Sequence, residues 1–415
     1  MTTGQQHAVL DLDFVRSQFP AFSEPNLKGW AFFENAGGSY ACGQVIDRLH
    51  RYYRQTKVQP YGVHPASIRA GEEMDEAYRR LAAYLNVHED EVHFGPSTSQ
   101  NTYVLAQAFR PIWQSGDEII VTDQDHEANS GAWRRLGDTG IVVRQWSLDP
   151  ETGMLNPDDL DGLLTERTRL VAFPHCSNIV AHINPVAEIA AKAHAAGARV
   201  VVDGVAAAPH GLPDVDALGA DIYLFSLYKT YGPHQGLMVI RDPLLDELVT
   251  QGHFFNAEAK HKKLVPAGPD HAQVAAAAGI ADYLDAIHAH HFPDAAPPAE
   301  RGRRVHELFR QAEKARLAPL LEWLSHHPDV RIVGPADPAI RVPTVSVTTQ
   351  THSTAFVARQ LAEEGIMAGH GHFYAVRPLD AMGIPRDPGV LRMSFVHYTT
   401  NEEVTRLITA LDNIL

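Results

Sequence analysis

The apolar run Ile222-Tyr223-Leu224-Phe225 reads as a buried strand, and it delivers Ser226 and then Lys229 before Gly232-Pro233 breaks the chain. An ammonium at the end of a buried strand costs several kcal/mol to desolvate unless it is paired or loses its charge. Forming an imine with a carbonyl cofactor is one way to lose it. Taken alone, the segment reads equally as a surface lysine just past a strand. A second buried strand, Arg199-Val200-Val201-Val202, ends in Asp203, 26 residues before the lysine. Open α/β sheets place ligands at the carboxyl ends of such strands.

A lysine and a carboxylate so placed are what pyridoxal phosphate (PLP) requires: an amine to carry it and an acid to keep its ring nitrogen protonated. A phosphate would need an anion site. Ser97 and Thr98 precede a helical run over residues 102–109, and small hydroxyl residues at a helix N-terminus form such a site, although they also serve as simple caps. The buried strand 118–122 runs into Asp123-Gln124-Asp125-His126-Glu127-Ala128-Asn129. A flat imidazole at His126 could cover a cofactor ring and handle protons; a capping histidine is the plainer reading.

These separate motifs resemble the class V aminotransferase family, which includes the cysteine desulfurases, from about residue 32 to the C-terminus. The resemblance implies a type I fold of PLP enzymes: an α/β architecture with a large parallel-sheet domain and a small C-terminal α+β domain. It implies that Lys229 carries PLP and shuttles the α-proton, Asp203 anchors the ring nitrogen and His126 stacks on the ring. It places Ser97, Thr98 and Ser226 at the phosphate and Asn178 near the ring hydroxyl. On the substrate side it implies Asn35, in Asn35-Ala36-Gly37-Gly38, and His64 at the site mouth. It also implies His372 and Tyr374, in the loop of Gly369-His370-Gly371-His372-Phe373-Tyr374, and Arg392 as the carboxylate grip. A guanidinium grips a planar carboxylate by two prongs. The expected partners are a small amino acid and a second copy of the chain in a homodimer.

Several positions depart from the family pattern. Tyr374 stands where a desulfurase keeps its nucleophilic cysteine, and a phenol cannot form a persulfide. Ala206 replaces a frequent glutamine and Tyr228 a frequent histidine. Pro269 stands where a family threonine reaches a neighbour's phosphate. The retained set points to an enzyme acting at the α-carbon of a small amino acid, as an aminotransferase or a β-eliminating lyase. A persulfide-forming cysteine desulfurase and a non-catalytic protein of the same fold are the alternatives.

Composition sets the remaining bounds. A chain of 415 residues, 45% hydrophobic and 20% charged, suits a globular enzyme of two to three domains. A net charge of −15 argues against nucleic-acid or anionic-membrane partners. No apolar run reaches spanning length, and the first residues lack a signal-peptide pattern, so the expected compartment is the cytoplasm. Cys42 and Cys176 alone make no disulfide framework or CxxC metal site. The histidine clusters at 288–291 and 326–327 read as solvated surface, so no metal is expected. No glycine-rich dinucleotide or P-loop signature is present.

Periodicity predicts helices over residues 72–87, 272–290, 300–324 and 355–364. It predicts a helix beginning at Asn184-Pro185 with Asn184 as cap, and a last helix opened by the capping box Thr400–Glu403. Phe292 to Pro298 is the strongest boundary signal. The expected organisation is an N-terminal arm (1–30) packing with the small domain, a large PLP-binding domain (31–292) and a small C-terminal domain (293–415).

Overall fold

The computed structural model describes residues 8–415. The short strand β1 (Ala31–Phe32) comes first. Strands β2 (Val92–Gly95), β3 (Glu118–Thr122), β4 (Val142–Trp146), β5 (Thr168–Pro174), β6 (Arg199–Asp203), β7 (Ile222–Ser226) and β8 (Gly236–Ile240) follow. They build a seven-stranded sheet in the order β2-β8-β7-β6-β5-β3-β4. The strands expected at 118–122 and 199–203 match β3 and β6 to the residue.

The sheet is parallel except for β8, which runs antiparallel to β7 and β2. Only residues 227–235 join β7 to β8, too few for the helical crossover that a parallel return needs. Alternate residues feed two cores. Val200, Val202, Tyr223 and Phe225 pack on one face, and Val201, Ile222 and Leu224 on the other. That is why these strands read as continuous apolar runs.

A smaller sheet is formed by β9 (Val330–Val333), β10 (Thr344–Thr349), β12 (Gly369–Gly371) and β13 (Val390–Ser394), in the order β12-β13-β10-β9. The remaining strand, β11 (Ile366–Met367), pairs in parallel with β1. Residues 31–32, assigned above to the large domain, therefore join a strand of the C-terminal region. The arm touches both regions: Phe14 stacks on His290 at 3.8 Å, and Arg16 donates to the Tyr398 carbonyl at 2.9 Å.

Three local expectations need correction. Asn184 does not cap the helix Val186–Ala195; its Nδ2 donates to Gln124 Oε1 at 2.8 Å and to the Pro174 carbonyl at 2.7 Å. It ties the end of β5 to a neighbouring loop instead. The helix expected at 72–87 begins earlier, as Pro65–Leu85, because His64 caps it and Pro65 occupies its first turn. The helix expected at 272–290 is two, His271–Ala276 and Ala278–His291. Gly279 near the break lies so close to the Val45 backbone that an added Cβ would stand 2.6 Å from Val45 N. The capping box at Thr400 forms as expected.

Candidate active site

The carboxyl ends of β6 and β7 and the start of helix Thr98–Phe109 open on one cleft. It is lined by Ser97, Thr98, His126, Asn178, Asp203, Ser226 and Lys229, all expected, and by Tyr228 and His234. Lys229 sits on the short turn that follows β7 and is buried. Burial lowers its amine to about 8, Arg392 adds to the shift, and Asp203 opposes it. Among the described residues the amine has no hydrogen bond or ion pair; the Tyr228 ring lies 5.8 Å from Nζ.

Asp203 is buried at the last position of β6, and its Oδ1 accepts from Val205 N at 2.8 Å. Desolvation raises its carboxyl to about 6, against the pull of that N–H and of Lys229. Asp125, outside the cleft lining, is a second buried acid within electrostatic reach of Asp203. It accepts from Thr122 Oγ1 and Asn129 Nδ2, and burial, then Asp203, pushes it well above the usual carboxylate range.

His126 is a helix cap whose ring also faces the cleft. It caps the helix Glu127–Arg134, its Nδ1 accepting from Ala128 N at 3.0 Å. Burial and the nearby Lys229 and Arg392 charges lower it to about 3, so the ring is neutral. Ser97 caps the helix Thr98–Phe109 by accepting from Gln100 N at 3.2 Å. Its proton remains free to donate. Thr98 Oγ1 and Ser226 Oγ meet at 2.8 Å.

The substrate-side residues are distributed differently. Arg392, in β13, is buried outside the cleft lining, but its charge lowers both Lys229 and His126. Asn35 is buried beside Lys229 in an adjoining recess and uses both ends of its amide, donating to the Ser394 carbonyl and accepting from Tyr398 Oη. His64 is exposed and caps its helix, outside the cleft lining. His372 and Tyr374 are exposed, and His372 Nδ1 accepts from Tyr374 N at 3.1 Å. The Tyr374 ring stands 5.7 Å from the His126 ring. His234 was missed by sequence reasoning because it follows a turn with no periodicity; it stacks on Tyr228 at 4.7 Å and 6°.

The donor set fits PLP. A free buried amine, a buried acid and three hydroxyls around a helix N-terminus share one cleft. Asn178 adds a second sign: Nδ2 donates to the Phe373 carbonyl at 3.0 Å, while buried Oδ1 has no partner and could accept from a ring hydroxyl. Among the described residues no cluster of His, Cys, Asp or Glu is arranged to hold a metal, and no helix is long and apolar enough to cross a membrane.

Residues 31–292 and 304–407 match the family model described as aminotransferase class-V, and the chain belongs to that family. It is 36% identical to an aminotransferase-like protein of Gibberella zeae, over 97% of this chain and 98% of that protein. It is 30% identical to a cysteine desulfurase of Serratia proteamaculans, over 97% and 98% respectively. The apo structure of a cysteine desulfurase from Thermococcus onnurineus superposes with a TM-score of 0.84, covering 98% of both chains at 23% identity. The last likeness shows the fold, and it agrees with the type I architecture expected from the motifs. The chain is an enzyme of the PLP-dependent, aminotransferase class-V type.

Proposed function

We propose that this cleft binds PLP and acts at the α-carbon of a small amino acid, by transamination or by β-elimination. The observation that carries the reading is the meeting of an unpaired buried lysine, a buried aspartate and a hydroxyl-lined helix N-terminus in one cleft. Lys229 would carry the cofactor. Asp203 would hold a proton at its ring nitrogen, His126 would lie on its ring face, and Asn178 would meet its ring hydroxyl. Ser97, Thr98 and Ser226 would hold its phosphate, aided by the helix dipole. When bound, PLP supplies an electron sink for the charge that develops at the substrate α-carbon.

The chain's own residues do the rest. Arg392 binds the substrate carboxylate and so orients the α-carbon. Asn35 and the Ala36–Gly38 turn close the site beside Lys229. Once its amine is free, Lys229 takes the proton from the α-carbon; an amine lowered to about 8 is suited to that task near neutral pH. Departure of a β-substituent from the substrate gives elimination; where there is none to lose, redelivery of the proton held by Lys229 away from the α-carbon completes transamination.

We further propose a cytoplasmic homodimer with an arm, a large domain and a small domain. Persulfide-forming desulfurase activity is the second reading, favoured by the relatives' names and opposed by Tyr374. The test is the purified protein incubated with PLP. It should show a visible absorption band that borohydride removes, leaving pyridoxyl on Lys229. Amino acids are then screened with keto acid, sulfide and ammonia assayed together. A protein that develops no band with PLP would end this reading and leave the non-catalytic alternative.

A further inference from the structure

Arg392 carries an unusual burden. It is 3% exposed, and among the described residues it makes no ion pair. Its one hydrogen bond is a long one, Nη1 to the Asn178 carbonyl at 3.4 Å, and its buried Nε has no partner. Glu34 acts on it only through space. A buried guanidinium needs compensation, and what lies against it is an aromatic face: Arg392 Cζ stands 3.7 Å from the centroid of the Phe373 ring.

That ring is held with care. Phe373 and Tyr374 are consecutive non-glycine residues in the left-handed region, with φ of +47° and +58°. Such a pair persists only where its surroundings enforce it. Here the Phe373 carbonyl accepts from Asn178 Nδ2 and the Tyr374 carbonyl from Glu127 N at 2.9 Å, at the start of the helix that His126 caps. On the other side Gly369 is the direct ladder partner of Arg392. A Cβ at Gly369 would lie 2.5 Å from Glu34 Oε1, 3.1 Å from Phe373 Cε1 and 3.2 Å from Cζ, so the missing methyl makes room for the Glu34 carboxylate and for the edge of the ring.

We infer that Phe373 is a positioning residue: wedged between Gly369 and Arg392, it holds the guanidinium flat and leaves its edge for the α-carboxylate of the substrate. The inference rests on the proposed role of Arg392. Nη2, which makes no hydrogen bond, lies toward Gly37, where an added Cβ would stand 3.9 Å away. Gly37 belongs to the turn that borders the recess beside Lys229. The loop in which a desulfurase keeps its nucleophile is thus used here as a clamp on the carboxylate grip, with Asn178 as the link between clamp and cofactor cleft.

The experiment compares two probes on the PLP-loaded protein, L-alanine and ethylamine, which differ by the carboxylate. The readout is the concentration giving half of the change in the visible spectrum. The parent should prefer L-alanine, and Arg392→Lys should remove the preference. Phe373→Ala should raise the L-alanine concentration roughly three- to thirty-fold, the range expected for loss of a buried cation–π contact. Ethylamine should stay within about twofold, and Phe373→Tyr should restore the parent behaviour, since a second flat ring replaces the first. If Phe373→Ala moves both probes alike, or neither, while Arg392→Lys abolishes the preference, the inference is wrong and the role of Arg392 stands. If the parent shows no preference for L-alanine, the role of Arg392 falls and this inference falls with it.

Discussion

Thr98 Oγ1 and Ser226 Oγ lie 2.8 Å apart although 128 residues separate them in the chain. The contact ties the N-terminus of helix Thr98–Phe109 to the end of β7, three residues before Lys229. Gly236 lets this happen: a Cβ there would stand 2.5 Å from the Ser97 carbonyl carbon and 2.6 Å from Thr98 N. The start of β8 therefore runs directly beneath the helix start, and only a hydrogen fits between them. The hydroxyl pair and the free N–H groups form a cradle before any anion arrives.

Removing one hydroxyl should weaken that cradle without dismantling it. Ser226→Ala or Thr98→Val should raise the PLP concentration that half-saturates the apoprotein by about tenfold or more, since a hydrogen bond to a charged group contributes roughly 1.5–3 kcal/mol. Titration of the apoprotein followed by visible absorbance measures this. Unchanged affinity in both variants would place the phosphate elsewhere.

Lys229 sets a pH dependence. The neutral amine is the nucleophile, and burial first, then Arg392, lowers its pKa to about 8. The rate of PLP capture by the apoprotein should rise with pH up to about 8 and level off above it. His126, held near 3 and already neutral, adds no step in this range. A rate that still climbs steeply at pH 10, as for a solvated lysine, would contradict the buried, unpaired amine.

Asp203→Asn separates holding from catalysis. The asparagine Oδ1 can still accept from Val205 N, so the end of β6 should keep its shape. The charge that keeps a ring nitrogen protonated is lost. PLP should remain bound while turnover falls by roughly two to four decades, as for loss of a proton-handling group. Near-normal turnover would make Asp203 structural.

The parts of this site that were legible in the sequence are those with local signatures. Asp203 ends a buried strand and Lys229 and His126 follow others, and strands buried on both faces announce themselves as apolar runs. Ser97 and Thr98 announce a helix start. Phe373 carries no such signal, since its role depends on a glycine four residues upstream and an arginine 19 residues downstream that meet only across β12 and β13. Asn184 misled for the opposite reason. Its sequence context is that of a cap, and a long-range partner, Gln124, outcompeted the local one. The reversal of β8 was readable in principle from the short β7–β8 connection, but a motif reading attends to residues and not to the length between strands.

Sulfur chemistry offers the sharpest separation of the two enzymatic readings. A persulfide requires an accessible thiolate. Cys42 and Cys176 are the only cysteines in the chain, and both are buried. Burial pushes both thiols up to about 12, so neither is ionised near neutral pH. Cys176 is the stronger contender because it borders the cleft, yet it is 2% exposed and its Sγ is turned to the Ser177 carbonyl at 3.6 Å. Tyr374, which the family resemblance sets against the desulfurase cysteine, is 70% exposed and has no thiol to offer. The double variant Cys42→Ser, Cys176→Ser should therefore keep its native reaction, with some loss of stability because each serine buries a hydroxyl where a weakly polar thiol packed. Any sulfur released from cysteine should appear as free sulfide with pyruvate and ammonia, the products of β-elimination. Mass spectrometry of the protein trapped during turnover, together with product analysis, measures both. A persulfide on Cys42 or Cys176, or alanine formed from cysteine by the parent and absent in the double variant, would move the sulfur-accepting thiol to a buried position and make the desulfurase reading the leading one.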